Sequence, residues 1–181
     1  MIPFVKKIAY VLCLPFIVLT KFTRYVYVAE IISLIPFKVG ELIRYAFYKR
    51  TLAACGDDIT IGFGTIISYP SVTIGCHVSI GPYNTIGRVA IDDYVLTAQH
   101  CNFLSGGHLH GFADLNKPIM QQPGNPKSIK IGPDIWVGAN STIMADINEG
   151  CVIGAGSIVT KPPPPYSVVA GNPARVIRSR K

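Results

Sequence analysis

Three of the four histidines in this chain, His100, His108 and His110, lie within a single eleven-residue stretch. Imidazole is the side chain most often used to take up a proton near neutral pH, so such a cluster is typical of a general base. A general base is needed where a hydroxyl group must act as a nucleophile, because an alcohol reacts poorly until its proton is removed. The fourth histidine, His77, lies in a regular repeat and is predicted to be a surface residue.

The histidine cluster interrupts a repeat of six residues. Aliphatic residues, most of them followed by glycine, mark this repeat at Ile61, at Ile74, Ile80 and Ile86, at Ile131, Val137 and Ile143, and again at Ile153 and Val159. Ile91 and then Leu96 are predicted to extend the series before it fades between about 97 and 128. A period of six fits neither a helix nor simple strand alternation, and indicates short strands joined by sharp corners, as in a parallel β-helix.

This pattern divides the chain into two parts. Residues 1–57 are predicted to form an N-terminal helical, amphipathic region, and residues 58–181 an all-β solenoid. The solenoid carries a loop excursion at 102–128 and a C-terminal tail at 162–181. Ile143 and Ile153 are ten residues apart instead of twelve, so we expect a shortened corner between them.

Composition restricts the partners and the compartment. The net charge is +7, but the basic residues cluster at 6–50 and 161–181, and the chain has no nucleic-acid-binding motif, so we expect no nucleic-acid partner. The five cysteines are scattered and odd in number, which favours reduced thiols in the cytoplasm over a disulfide framework. Each cysteine is interpreted as a small apolar filler.

The N-terminal region is apolar but too short to span a bilayer. Its longest apolar run, 8–20, has thirteen residues, whereas a spanning helix needs about 20. Extending the run would place Lys21 and Arg24 in hydrocarbon. A second segment, 38–49, has Val39 on a predicted apolar helix face and Arg44 off it. These features predict interfacial helices that hold a cytoplasmic protein at the inner face of the plasma membrane. The alternative is that they pack on the solenoid or on a neighbouring subunit.

Three C-terminal motifs carry a family resemblance: IWVGAN (135–140), VIGAGSIVTK (152–161) and VVAGNPARVI (168–177). With the repeat, they make the chain similar to the hexapeptide-repeat acyltransferases of left-handed β-helix fold, and most similar to the O-acetyltransferases of sugars and bacterial surface polysaccharides. The resemblance implies acetyl-CoA as co-substrate, a sugar or glycan acceptor, a homotrimer with active sites between subunits, and no metal.

The resemblance also implies roles for residues on the acceptor side. His108 matches the family spacing for the general base, counted from the repeat at Ile91, with His110 and His100 as alternatives. Independently of the resemblance, a catalytic imidazole needs a partner that fixes its tautomer, and Asp92, Asp93, Asp114 or a backbone carbonyl could supply it. We expect Asp93 in that role and Asp92 as an acceptor contact. Asn84 matches a position that contacts the acceptor, or else is a corner asparagine in left-handed backbone.

For the donor, the resemblance implies a groove along the last coils. Its predicted coenzyme A contacts are Ala139, Ala155, Thr160, Lys161, Arg175 and Arg178. The two alanines would let the pantetheine arm approach the backbone, and the two guanidinium groups suit a phosphate.

Other functions remain open at this point. Within the same chemistry, the chain could acetylate the amine of an amino sugar, or act on serine. Outside it, the same fold serves zinc enzymes that resemble γ-type carbonic anhydrase, and a non-catalytic scaffold is also possible. The zinc enzymes need three histidines that converge from regular coils, whereas here three crowd one loop.

Overall fold

A computed structural model describes residues 3–105 and 109–181, where four helices precede a β-solenoid. In chain order the helices are α1 (Pro3–Leu12), α2 (Leu14–Leu19), α3 (Tyr25–Ser33) and α4 (Phe37–Thr51). The strands are β1 (Ala54–Cys55), β2 (Thr60–Ile61), β3 (Ile66–Ile67), β4 (Thr73–Ile74), β5 (Ser79–Ile80), β6 (Thr85–Ile86), β7 (Val89–Ile91), β8 (Val95–Thr97), β9 (Asn102–Phe103), β10 (Ile129–Ile131), β11 (Ile135–Val137), β12 (Thr142–Ile143), β13 (Val152–Ile153), β14 (Ile158–Val159), β15 (Ser167–Gly171) and β16 (Ala174–Ser179).

The strands form three parallel sheets, which are the sides of a triangular prism. Face A contains β1, β4, β7 and β10; face B contains β2, β5, β8, β11, β13 and β15; face C contains β3, β6, β9, β12 and β14. The chain turns at the A–B, B–C and C–A edges in that order, and β16 pairs antiparallel with β15 at the end of face B. The predicted parallel β-solenoid is confirmed.

Inward residues that align from coil to coil build the core, and the three-residue strands β7, β8, β10 and β11 each bury both end residues. On face B the register aligns Ile61, Ile80, Thr97, Val137, Ile153 and Val169, and on face C it aligns Ile67, Ile86, Phe103, Ile143 and Val159. Each of these residues is at most 2% exposed. Because successive coils are about 4.8 Å apart, each inward side chain packs between those directly above and below it.

The repeat continues further than predicted, because the inward residue of β8 is Thr97 and not Leu96. Leu96 points outward and is 49% exposed, whereas Thr97 aligns with Ile80. The steps from Ile91 to Thr97 and from Thr97 to Phe103 are again six residues. The excursion therefore starts after Phe103, two residues later than predicted, while its end agrees with the start of β10.

The interval from Ile143 to Ile153 is two residues shorter than two full repeats, and one corner accounts for the difference. Ile147 forms a parallel bridge to face A, so the step from Ile143 to Ile147 is four residues and the next step is six. The corner at 144–146 is the shortened one. The register recovers at once, since Ile153 aligns with Val137.

Helices α3 and α4 cover the open end of the first coil, where α4 contacts β1 and β2 and α3 contacts β3. Phe47 and Tyr48 are fully buried there, and the Tyr48 hydroxyl accepts a 3.2 Å hydrogen bond from the Ile67 N–H. Helix α1 packs on α4, and the Arg50 guanidinium lies 4.3 Å from the centre of the Tyr10 ring. Helices α3 and α4 therefore pack on the solenoid, which was the alternative to the interfacial interpretation, whereas α1 packs on α4.

The predicted apolar face of α4 was partly wrong. Arg44, predicted to lie off that face, is 2% exposed, and Val39, predicted to lie on it, is 44% exposed. The helix contacts α1, α2 and α3 as well as the first coil, so its buried surface is wider than one stripe. The solenoid also begins earlier than residue 58, since β1 starts at Ala54. Among the described residues, no helix has the length and apolarity that crossing a bilayer requires.

Candidate active site

The loop at residues 104–128, called the excursion loop here, leaves the solenoid at the C–A edge between β9 and β10. Its base is held by neighbouring coils: the Arg88 N–H donates to Ser105 Oγ, and the Leu104 N–H donates to the Ile143 carbonyl, both at 2.9 Å. His108, the predicted general base, lies outside the described residues, three positions after Ser105. The position at which the segment containing His108 leaves the solenoid is therefore defined by Leu104 and Ser105.

The rest of the excursion loop is organised around Gln122, which the sequence pattern did not indicate. The Gln122 side chain donates to the carbonyls of Asp114 (2.7 Å) and Lys117 (2.9 Å) and accepts from the Asp114 N–H (3.1 Å). The Asp114 carboxylate lies 3.5 Å from Lys117 Nζ, within the loop. His110 lines a cavity of about 420 Å³ together with Lys127.

The other two histidines are stacked at edges of the prism. His100 has left-handed backbone (φ 56°) at the B–C edge, and its ring stacks on Tyr83 with the centroids 5.1 Å apart. At the A–B edge, His77 Nδ1 lies 3.0 Å from the Asp58 carboxylate, and the ring stacks on Tyr94. The surface position of His77 is confirmed. For His100, this geometry favours an edge-stabilising role over a catalytic one.

Asp92 and Asp93 lie at the A–B edge, directly after β7. Asp93 Oδ1 accepts a 2.7 Å hydrogen bond from the Cys76 N–H, and Asp92 Oδ2 lies 3.4 Å from Lys130 Nζ. Both aspartates line a cavity of about 380 Å³ with Pro133. The excursion loop departs from the C–A edge, so within one chain the width of face A, about 10 Å, separates its base from these carboxylates.

Asn84 is fully buried at the B–C edge, and its side-chain amide bonds to neighbouring residues of the solenoid. Its Nδ2 donates to Thr97 Oγ1 (2.7 Å) and to the Ala98 carbonyl (3.0 Å), and its Oδ1 accepts from the Cys101 N–H (2.6 Å). The left-handed conformation belongs to the preceding residue, Tyr83 (φ 56°). This geometry favours a structural role for Asn84. The sequence had offered two other interpretations, an acceptor contact and a corner asparagine in left-handed backbone.

Ala139 and Ala155 form a narrow outward strip at the B–C edge, on adjacent coils. The Gly156 N–H donates a 2.8 Å hydrogen bond to the Ala139 carbonyl, and this bond links the two coils. A Cβ atom at Gly138 would lie 2.6 Å from the Ala155 nitrogen, so this edge requires small residues. The predicted pair of alanines therefore lies on adjacent coils at one edge of the prism.

Lys161 and Arg175 line the same cavity at the C-terminal end of the solenoid. They line a cavity of about 350 Å³ whose floor includes the last inward residues, Val159 and Val169. Thr160 is exposed beside Lys161. Two cations thus lie at the mouth of a partly apolar cavity, an arrangement that can hold a phosphate group.

The two predicted arginines of β16 occupy different positions along face B. Arg175 aligns with Ala170 near the B–C edge, whereas Arg178 aligns with Val168, nearer the A–B edge. Arg180, which the sequence pattern did not indicate, donates to the Asp134 carboxylate at 3.0 Å and to the Gly150 carbonyl at 2.6 Å. Of the two predicted residues, only Arg175 lines the C-terminal cavity.

The cysteines are free thiols, and Cys13, Cys101 and Cys151 are buried, in agreement with their interpretation as apolar fillers. Burial raises the pKa of the Cys55 thiol to about 11. Within residues 3–105 and 109–181, no group of three histidine, cysteine or acidic side chains is placed to hold a metal ion.

Curated proteins of similar sequence are acetyltransferases, although no protein-family model matches the chain. The galactoside O-acetyltransferase of Escherichia coli (strain K12) is 32% identical over 145 residues, which cover 75% of this chain and 68% of that protein. A probable acetyltransferase of Mycobacterium tuberculosis is 32% identical over 116 residues, or 61% of this chain. The chain spans only 38% of the length of that second relative.

The fold has a solved counterpart in a galactoside acetyltransferase in complex with coenzyme A. The two structures superimpose with a TM-score of 0.71 at 27% sequence identity, covering 86% of this chain and 78% of the other. This likeness confirms the left-handed form of the β-helix.

Proposed function

Because the chain belongs to the hexapeptide-repeat acetyltransferases, we propose that it transfers an acetyl group from acetyl-CoA to a hydroxyl group of a sugar or glycan. One observation carries the proposal: a strip of small residues on the B–C edge leads towards a cavity lined by two cations. Such a strip and cavity match a ligand with a thin amide-bearing arm and a phosphorylated end. Coenzyme A has this shape, and it is the ligand in the solved galactoside acetyltransferase.

On the donor side, the pantetheine arm lies along Ala139 and Ala155 and pairs with exposed backbone. Arg175 and Lys161 then hold the phosphorylated nucleotide, with Thr160 beside them. Arg178 has a lesser role, because it lies nearer the opposite edge of face B.

On the acceptor side, His108 takes the proton from the sugar hydroxyl as its oxygen attacks the thioester carbonyl. The tetrahedral intermediate collapses by breaking the carbon–sulfur bond. The coenzyme A thiolate then leaves and takes the proton from the imidazolium, so that the products are an acetyl ester and free coenzyme A. Asp93 orients the imidazole, and Asp92 contacts the acceptor.

We propose that a second copy of the chain completes this site, because Asp92 and Asp93 lie across face A from the base of the excursion loop. A homotrimer would bring the loop of one subunit to the A–B edge of the next. The loop itself supports such contacts, because it exposes Leu109 (46%), Phe112 (68%), Leu115 (95%), Ile119 (60%) and Met120 (85%). Exposed apolar residues in one short segment mark an interface more often than a free surface.

The N-terminal helices support the proposal that this is a peripheral, cytoplasmic protein attached to a bilayer surface. Their outer side exposes Ile8, Val11, Leu12, Leu14, Val18, Leu19, Phe22, Tyr27, Ile31, Leu34, Phe37 and Val39. Phe22, in the connection between α2 and α3, is 81% exposed, and Lys21 and Arg24 lie on either side of it in the sequence. Apolar side chains bordered by cations suit an anionic membrane surface.

The catalytic proposal is tested by thiol release from acetyl-CoA, with free sugars, amino sugars and glycans as acceptors. His108→Ala should lower kcat by about 10²- to 10⁴-fold while coenzyme A still binds. His100→Ala and His110→Ala are the matched controls, and each should retain most of the wild-type kcat. Unchanged turnover in His108→Ala would contradict the assignment of the base, and acetylation of amines alone would contradict the choice of a hydroxyl.

The membrane proposal is tested by flotation with vesicles that contain anionic lipid. Phe22→Ser combined with Val18→Ser should reduce binding, whereas Leu115→Ser in the excursion loop should not. Equal binding by wild type, the double variant and Leu115→Ser would contradict membrane attachment through the N-terminal helices.

A further inference from the structure

We propose that a cleft between α3 and the C–A edge binds a phosphate group to which the acceptor sugar is attached. The inference rests on the proposed acetyltransferase function and names the class of its acceptor. The cleft has a volume of about 510 Å³ and is lined by Arg24, Tyr25, Val26, Ser68, Tyr69 and Pro70. It is separate from the cavities lined by Arg175 and by Asp93.

One arginine lines this cleft, called the arginine cleft below, and a second stacks on one of its lining residues. Arg24 lines it directly, and the Arg88 guanidinium lies 4.7 Å from the centre of the Tyr69 ring, which forms part of its wall. Among the described residues, neither arginine forms an ion pair with a carboxylate. A guanidinium that rests on an aromatic face keeps its N–H edge available, and that edge matches two phosphate oxygens.

The start of α3 adds to the same charge. The helix begins at Tyr25 after Arg24, no side chain caps it, and its first turn contains no acidic residue. Tyr25 and Val26 line the cleft, so their backbone N–H groups belong to a helix end that favours anions. The Ser68 residue at the opposite wall supplies a hydroxyl donor.

The arginine cleft lies on the same edge as the excursion loop. In three successive coils, the residue two positions after the face C strand is Tyr69, Arg88 and Ser105 in turn. The Arg88 N–H donates a hydrogen bond to Ser105 Oγ. The distance from Tyr69 to the loop base is therefore two coil spacings, about 10 Å. A phosphate in the cleft would leave its attached sugar near Ser105, at the base of the excursion loop.

A phosphate-linked sugar has two common sources, a lipid phosphate and a nucleoside diphosphate. The lipid source has support from Phe22, which is 81% exposed two residues before Arg24. A cleft that opens beside an apolar surface is accessible to a headgroup that stays at the bilayer. The shared chemistry is the phosphate, and the experiment separates the two sources.

The test compares one sugar in three forms: linked to a polyprenyl phosphate in vesicles, linked to a nucleoside diphosphate, and as a methyl glycoside. Arg24→Gln and Arg88→Gln should each raise KM for a phosphate-linked form by about tenfold or more. The values of kcat, of KM for acetyl-CoA and of KM for the methyl glycoside should not change. Lys38→Gln is the matched control, because it removes the same charge from the N-terminal helices away from the cleft.

The form whose KM rises identifies the source of the phosphate. Equal KM values for wild type and both arginine variants with every form would overturn the proposal, as would an equal rise for the methyl glycoside. Binding without turnover separates this inference from the proposed function. Calorimetry with polyprenyl phosphate vesicles and with the nucleotide sugar should show weaker binding by Arg24→Gln and Arg88→Gln even if no acceptor is acetylated. Unchanged binding of both ligands would overturn the cleft, whatever the activity.

Discussion

The guanidinium of Arg44 donates a 2.9 Å hydrogen bond from Nε to the carbonyl of Ile61, and this bond ties α4 to the first coil of the solenoid. Its Nη1 donates at 2.9 Å to the carbonyl of Ile35, just beyond the end of α3. Burial lowers the pKa of this guanidinium from its ordinary value. One side chain thus joins both covering helices to the β-helix, and carbonyl oxygens offset the cost of removing its charge from water.

Arg44→Ala should lower the free energy of unfolding by about 2–4 kcal/mol, because it leaves buried carbonyls without a donor and opens a cavity. Urea unfolding followed by circular dichroism measures this change. Lys38→Ala, at an exposed ion pair on the same helix, should stay within about 0.5 kcal/mol of wild type. A loss below about 1 kcal/mol for Arg44→Ala would mean that the carbonyls find other donors.

The six-residue period predicted the solenoid and the inward position that recurs in each face, because every coil needs a buried side chain there. It missed Thr97, since a hydroxyl residue at an inward position breaks the aliphatic pattern and its partner, Asn84, is distant in sequence. It also missed Arg44 and Gln122. Arg44 bonds to backbone atoms of other segments, and Gln122 bonds to backbone atoms of its own loop. Backbone partners leave no trace in residue types or spacing.

Asn84→Ala should destabilise the solenoid more than it affects acceptor binding. The substitution removes two donated bonds and one accepted bond at a fully buried position, and should cost about 2–4 kcal/mol of unfolding free energy. The KM for the acceptor, measured at a temperature where the variant is folded, should remain near the wild-type value. Thr97→Val provides the comparison, since it removes one partner of Asn84 and keeps the side-chain shape. A raised acceptor KM with unchanged stability would restore Asn84 as an acceptor contact.

Stability should fall in alkaline solution partly because of Cys55. Its pKa is about 11 in the folded protein, against an ordinary value of 9.0. Between these two values the unfolded thiol loses its proton while the folded thiol keeps it, so rising pH favours the unfolded state. Urea unfolding at several pH values from 8 to about 10.5 should show a shallower decline for Cys55→Ala than for wild type. Parallel declines would contradict a raised pKa at Cys55, since the other buried groups are common to both proteins.

Arg175 should recognise the 3′-phosphate of coenzyme A, whereas Arg178 in the same strand should not. Arg175 lines the C-terminal cavity together with Lys161, whereas Arg178 aligns farther along face B. Arg175→Gln should therefore raise KM for acetyl-CoA by about 10- to 100-fold, the range expected for the loss of a hydrogen bond to a charged group. Arg178→Gln should change KM by less than about threefold, and Lys181→Gln, at the exposed C-terminus, controls for loss of charge.

The acetyl ester of 3′-dephospho-coenzyme A makes this test specific. Without the phosphate, the wild-type protein should already have the raised KM, and Arg175→Gln should raise it no further. An additional rise with the dephosphorylated donor would assign Arg175 to another part of the nucleotide. An equal effect of Arg178→Gln and Arg175→Gln would indicate that the nucleotide lies along β16 and not in the cavity, because only that path contacts both guanidinium groups.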